Sequence, residues 1–139
     1  MRTGFTLIEM LIVLAVTAVL AGIALPTLIG MHDRLTVRLA AVDAARALAD
    51  ARTVALSAAR RTAVKMDAAA NTLTVVSGPD TIRTLRLSEY GVQLRTTRDS
   101  IAFGPTGVGW GAATATLTFT RGRASTALAV SRIGRIRRA

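Results

Sequence analysis

The stretch Gly4-Phe5-Thr6-Leu7-Ile8-Glu9-Met10 decides how the rest of this chain is read. It places a carboxylate, Glu9, at the threshold of a run from Met10 to Met31 that contains no charged residue. As an α-helix rising about 1.5 Å per residue, that run extends about 33 Å, enough to cross a hydrocarbon core about 30 Å thick. A carboxylate at the edge of such a span is costly, and it is tolerated where a partner offsets its charge. If the chain is cut after Gly4, Phe5 carries a new α-ammonium one helical turn from Glu9. That amine, from the same chain or a neighbouring copy, is a suitable partner. The alternative is a cleaved secretory signal, whose apolar region is shorter, about 7 to 15 residues before a small-residue cleavage site. Ala21-Gly22-Ile23-Ala24 imitates such a site, but Glu9 argues against it.

Beyond the span, a chain of 139 residues has room for one small domain. Its charge is lopsided, with Lys+Arg 18 against Asp+Glu 8 and a formal net charge of +10, and every basic residue except Lys65 is arginine. After Asp99 there is no acid, while Arg121, Arg123, Arg132, Arg135, Arg137 and Arg138 follow. Such a basic end attracts a polyanion or an acidic surface. The absence of cysteine excludes disulfides and thiolate-bound metals, and leaves the redox compartment undetermined.

Pro26 removes one helical hydrogen bond and clashes with the preceding turn, and Gly22, one turn earlier, weakens the helix further. A kink or a locally melted turn from Gly22 to Pro26 is expected, against the alternative of a span proline with no role. From Asp33 to Arg61 the composition suits an amphipathic helix, with Leu35, Leu39, Val42, Leu48, Ala49 and Leu56 expected along its buried stripe. Seven runs of β-favouring residues follow: 62–66, 73–76, 82–87, 92–96, 101–103, 114–120 and 126–131. They are separated by turn residues such as Ser77-Gly78-Pro79-Asp80 and Gly104-Pro105. The expected fold class is α+β, a long N-terminal helix packed on an antiparallel β-sheet.

Catalytic chemistry is hard to assemble from these residues. His32 is the only histidine, and with no cysteine and no cluster of acids neither a zinc site nor a histidine-based triad can be built. We expect no enzyme activity, no cofactor and no metal. The Gly-rich stretch from Gly104 to Gly111 lacks the Lys-Ser/Thr ending of a phosphate loop and precedes a strand, so a hairpin or Ω-loop is expected there. Trp110 within it has two readings, stacking on a nucleobase or pinning the loop to the sheet. Residues 131–139 also have two: a last edge strand, or an arm freed by Gly134 that presents four guanidinium groups suited to phosphate.

The Gly4-Phe5-Thr6-Leu7-Ile8-Glu9 motif, with its short basic leader and apolar helix, resembles the processing site of type IV prepilins and type II secretion pseudopilins. The resemblance implies a leader of residues 1–4, cut by prepilin peptidase after Gly4, and N-methylation of Phe5. It also implies pairing of Glu9 with the amine of an adjacent subunit, and a helix that loosens near Gly22 and Pro26 in a filament. Residues 5–31 are then the transmembrane and assembly helix. Residues 32–139 form a periplasmic pilin-like domain on a single-pass inner-membrane anchor, with a basic tail at 132–139. Helix-then-strands order is similar to the GspH/FimT-type branch, as are Ala51-Arg52-Thr53-Val54-Ala55, Ile101-Ala102-Phe103-Gly104-Pro105-Thr106-Gly107 and the final Val130-Ser131-Arg132-Ile133-Gly134-Arg135-Ile136-Arg137. The last resembles the Gly-Arg-x-Arg motif with which FimT-like minor pilins bind DNA, which would assign DNA contact to Arg132, Arg135, Arg137 and Arg138. The implied partners are prepilin peptidase, other pilin or pseudopilin subunits, the inner membrane and the DNA phosphate backbone. The implied function is that of a subunit of a secretion pseudopilus or a type IV pilus; the alternative is a dedicated DNA receptor for natural transformation with no role in secretion.

Overall fold

The computed structural model describes residues 5–111 and 113–138. The leader, with the expected cleavage residue Gly4, lies outside the described residues, as does Ala139. The chain divides into two compact units, one ending at His32 and the other beginning at Asp33. One helix, α1 (Leu7–Ser57), contributes to both.

In the first unit every side chain from Phe5 to Ile29 is exposed, the large apolar ones included. The helix is long and apolar enough there to cross a membrane. Pro26 lies inside α1, and residues 22–26 are helical without a melted turn.

Among the described residues the second unit carries nine strands after the helix: β1 (Thr62–Asp67), β2 (Thr72–Ser77), β3 (Asp80–Arg86), β4 (Gln93–Thr96), β5 (Ser100–Phe103), β6 (Gly109–Trp110), β7 (Ala115–Arg121), β8 (Ala124–Val130) and β9 (Ile136–Arg138). A short 3-10 helix, Leu87–Tyr90, separates β3 from β4 and takes Leu87 out of the strand expected to include it. The expectation of a single sheet is corrected. There are two antiparallel sheets, one ordered β3-β2-β1-β5-β6 and one ordered β4-β7-β8-β9. Alternation along strands such as β1, β2 and β7 gives both sheets an inner apolar face; Val64, Leu73, Val75 and Ile101 from the first and Leu94, Leu117, Phe119 and Leu128 from the second meet in one core.

The helix face in that core is also not the one expected. Val37, Ala41, Ala44, Leu48, Ala51 and Ala55 are buried, at successive spacings of four and three that keep one stripe turned inward. Leu35, Leu39 and Leu56 are about half exposed, Val42 and Ala49 are exposed, and of the expected stripe only Leu48 is buried. The inner stripe is mostly alanine because the bulk of the core comes from the sheets, above all Phe103 and Phe119. Small residues opposite large ones fill a core without overpacking it.

Polar links fasten the elements together. Asn71, in the β1–β2 turn, has φ 51°, a left-handed conformation that Asn tolerates better than most residues. Its carbonyl accepts from the Leu87 N–H at 2.8 Å, and its side-chain oxygen accepts from the Leu94 N–H at 2.8 Å, joining a hairpin of one sheet to a strand of the other. Arg83 on β3 pairs with Asp50 on α1 at 2.9 Å. The Tyr90 hydroxyl donates to Asp43 at 2.7 Å, so the 3-10 helix is held to α1 as well.

Candidate functional site

Two places carry the residues singled out by the sequence. At the start of α1, Thr6 precedes the first helical residue, and Glu9 sits three positions later. The Glu9 carboxylate accepts from the Thr6 backbone N–H at 2.7 Å and from the Thr6 hydroxyl at 2.8 Å, while the Glu9 N–H donates to Thr6 Oγ1 at 3.3 Å. This reciprocal arrangement is a capping box, which satisfies N–H groups that the first turn of a helix leaves without partners. Glu9 therefore has a partner in its own chain, Thr6, in addition to the Phe5 amine that the sequence suggests. The signal was available as Thr-x-x-Glu before an apolar run. Phe5 and Glu9 are both exposed, so the carboxylate that closes the box also faces outward.

The second place is the chain's basic end. It forms an edge strand: β9 pairs antiparallel with β8, Val130 opposite Ile136, Ala129 opposite Arg137 and Leu128 opposite Arg138. The turn before it is closed by Ser131 N–H to the Arg135 carbonyl at 2.9 Å and Gly134 N–H to the Ser131 carbonyl at 2.9 Å. Gly134 has φ 75°, which favours glycine, and a Cβ there would lie 3.2 Å from the Arg52 side chain. The Arg132 carbonyl accepts from Gly109 N–H at 2.7 Å, pinning the turn to the other sheet.

This order separates the four arginines. Arg132 and Arg135 are exposed on the turn, and Gly134 between them lies against the Arg52 side chain, a proximity that no local sequence pattern announces. Arg137 and Arg138 point to opposite faces of the strand, because successive side chains alternate. Arg121 is committed elsewhere: its guanidinium pairs with Asp33 at 3.0 Å and donates to the Tyr90 carbonyl. Trp110 lies opposite Ala102 on β5, and a Cβ at Gly104 would come 3.0 Å from its ring, so the ring covers that glycine while remaining 58% exposed. Among the described residues no group of three or more His, Cys, Asp or Glu could hold a metal ion.

Two kinds of likeness to known proteins cover different parts of the chain. Residues 1–25 match the family described as the prokaryotic N-terminal methylation motif. The start of this chain thus carries an N-terminal methylation motif. Two crystal structures of the Pseudomonas aeruginosa type IV minor pilin FimU superpose on it with TM-scores of 0.61 and 0.63 at 16% and 17% identity. They cover 73% and 77% of this chain, and 91% and 90% of theirs. The minor pseudopilin EpsH of the Vibrio cholerae type 2 secretion system superposes with a TM-score of 0.59 at 15% identity, covering 73% of this chain and 94% of its own. No curated protein sequence matches the chain. The α+β fold is thus that of the minor pilin FimU and the minor pseudopilin EpsH.

Proposed function

We propose that this protein is a minor pilin-type subunit, made with the leader 1–4 and cut by prepilin peptidase after Gly4. It is then N-methylated at Phe5, anchored in the inner membrane by residues 5–31 and assembled into a type II secretion pseudopilus or a type IV pilus. One coincidence carries this reading: the methylation motif leads into a fully exposed apolar helix, ahead of a domain with the minor-pilin fold. In the filament, Glu9 turns part of its carboxylate from Thr6 to the amine of an adjacent copy, and the helix loosens near Gly22 and Pro26. The domain from residue 32 is non-catalytic and lies in the periplasm. That orientation rests on the prepilin likeness, since the arginines flanking the span, Arg2 on one side and Arg34 and Arg38 on the other, do not favour it.

The capping box makes the Glu9 test sharper than an alanine substitution alone. Glutamine also serves at this position of a capping box but brings no charge to an amine. Glu9→Gln is expected to insert in the membrane and to be cleaved, with mature protein beginning at Phe5, yet to be missing from sheared filaments. Thr6→Val, which removes the hydroxyl and keeps the carboxylate, should still be incorporated. Wild-type incorporation of Glu9→Gln would reduce Glu9 to a helix cap.

A second reading, the dedicated DNA receptor, is favoured by the exposed Arg132 and Arg135 on one ordered turn beside Arg52. Each phosphate neutralised lowers log affinity by about 0.9 per unit of log salt on duplex DNA. Replacing Arg132 and Arg135 with Gln in the full chain should lower that slope by about 2, equally for unrelated sequences, because backbone contacts carry no sequence information. An unchanged slope removes this turn as the binding site.

A further inference from the structure

A second basic feature draws on α1 and on the turn that leads into β8. A cleft of 290 Å³ is lined by Arg34, Val37, Arg38, Arg123, Ala124, Ser125 and Thr126. Arg34 and Arg38 are one helical turn apart on α1 and so share a face, where like charges repel each other. Arg123 comes from the turn between β7 and β8. That turn is docked firmly: Arg121, at its start, pairs with Asp33, and Gly122 (φ 55°) lies so near that a Cβ would sit 2.5 Å from Asp33 Oδ2. Asp33 is therefore already neutralised. Among the described residues, Arg34, Arg38 and Arg123 have no ion pair, and no acid lines the cleft.

Three guanidinium-bearing side chains without ion-pair partners, lining one cleft, suit a cluster of phosphate oxygens, because arginine binds two such oxygens at once. The position selects the source of the phosphate. Arg34 follows the last residue of the uncharged run, Met31, by three places in the same helix. Basic residues next to a span lie at the level of the lipid headgroups, and anionic headgroups attract them. We propose that Arg34, Arg38 and Arg123 form a binding site for the phosphate of an anionic phospholipid headgroup. The proposal rests on the reading of α1 as a membrane anchor, and it adds a lipid ligand to a subunit whose other expected partners are proteins and DNA.

The test uses the full chain in nanodiscs of mixed phosphatidylglycerol and phosphatidylcholine, with lipids retained on the released protein counted by native mass spectrometry. Wild type should retain phosphatidylglycerol in excess of its share in the disc. The triple variant Arg34→Gln, Arg38→Gln, Arg123→Gln should lose at least tenfold of that preference. The single Arg123→Gln, remote from the span in sequence, should lose severalfold by itself. A control with the same change in net charge, Arg61→Gln, Arg95→Gln, Arg98→Gln, should keep the preference. No enrichment in wild type, an equal loss in the control, or an unaffected Arg123→Gln each overturns the site. Inorganic phosphate and a single-stranded oligonucleotide are offered separately to protein in pure phosphatidylcholine discs. Binding of either through these arginines, without phosphatidylglycerol enrichment, would replace the lipid with a soluble ligand. Failure of the chain to enter discs at all would instead overturn the anchor reading, a result distinct from entry without enrichment.

Discussion

The stretches of α1 before and after Asp33 are both rich in aliphatic residues, yet they use them in opposite ways. Before it, Leu, Ile, Val and Met are exposed all round the helix, so their hydrophobicity is addressed to something outside the chain. After it, large side chains such as Leu35 and Leu39 are outside, while the inner stripe is Val37, Ala41, Ala44, Leu48, Ala51 and Ala55. Hydrophobicity alone therefore identifies the partner of neither stretch. In the first it is uniform around the helix; in the second it is outweighed by spacing and by the bulk that the sheets already supply.

The contrast can be broken most directly at Leu48, the one Leu of the inner stripe, which is fully buried. Leu48→Ala should cost about 2–5 kcal/mol of domain stability by denaturant unfolding, through lost transfer energy and a residual cavity. A cost near zero would mean that the stripe is not the helix's packed face. Ala47→Leu, at a fully buried neighbour, should cost about 1–3 kcal/mol by overpacking, despite making the helix more hydrophobic.

Tyr90→Phe examines how the helix is tied rather than how it is packed, and should cost about 1 kcal/mol at neutral pH. The hydrogen bond to Asp43 raises the Tyr90 pKa above its ordinary value of about 10, with partial burial adding to the effect. A raised phenol pKa means that this stabilisation is complete below the unfolded value and is lost as pH rises through the folded one. Wild-type stability should therefore fall more steeply than that of Tyr90→Phe on the alkaline side of pH 10, and parallel curves would remove the tether. The smallest effect is expected at Leu39→Ser on the outer stripe, within about 0.5 kcal/mol in the same unfolding assay. A loss comparable with Leu48→Ala would show that the two faces of the helix are not different in kind.

Much of the fold could be read from the residues, and the failures have definite physical causes. Runs such as Leu117-Thr118-Phe119 alternate with period two and are strands within a residue or two of their expected ends. By contrast, β6 and β9 have two and three residues, too few to show a period, and they exist because β5 and β8 offer them an edge. That the strands divide between two sheets depends on pairings such as β1 with β5, which join residues distant in sequence and leave no local pattern. The inner stripe of α1 is marked by its four-three spacing and not by side-chain size, which points instead to the outward leucines. At the N-terminus the residue types were legible and one of their local roles was not: Thr6-x-x-Glu9 satisfies the helix start. The convergence of Arg34 and Arg38 with Arg123, and of Arg52 with Gly134, depends on where turns dock, which only tertiary structure fixes.

The treatment of the sheet margins limits how copies of this protein can join. A bare margin invites another chain to add a strand, the route to uncontrolled aggregation. Of the four described, β3 carries Arg83 and Arg86 and its pairing with β2 is irregular at Val75/Val76, while β6 is only two residues long. β4 has one of its N–H groups, that of Leu94, taken by the Asn71 side chain, and β9 is three residues long with two of them arginine. Each offers a poor template. Strand addition is thereby discouraged at each described margin, so copies crowded side by side are kept from joining sheet to sheet.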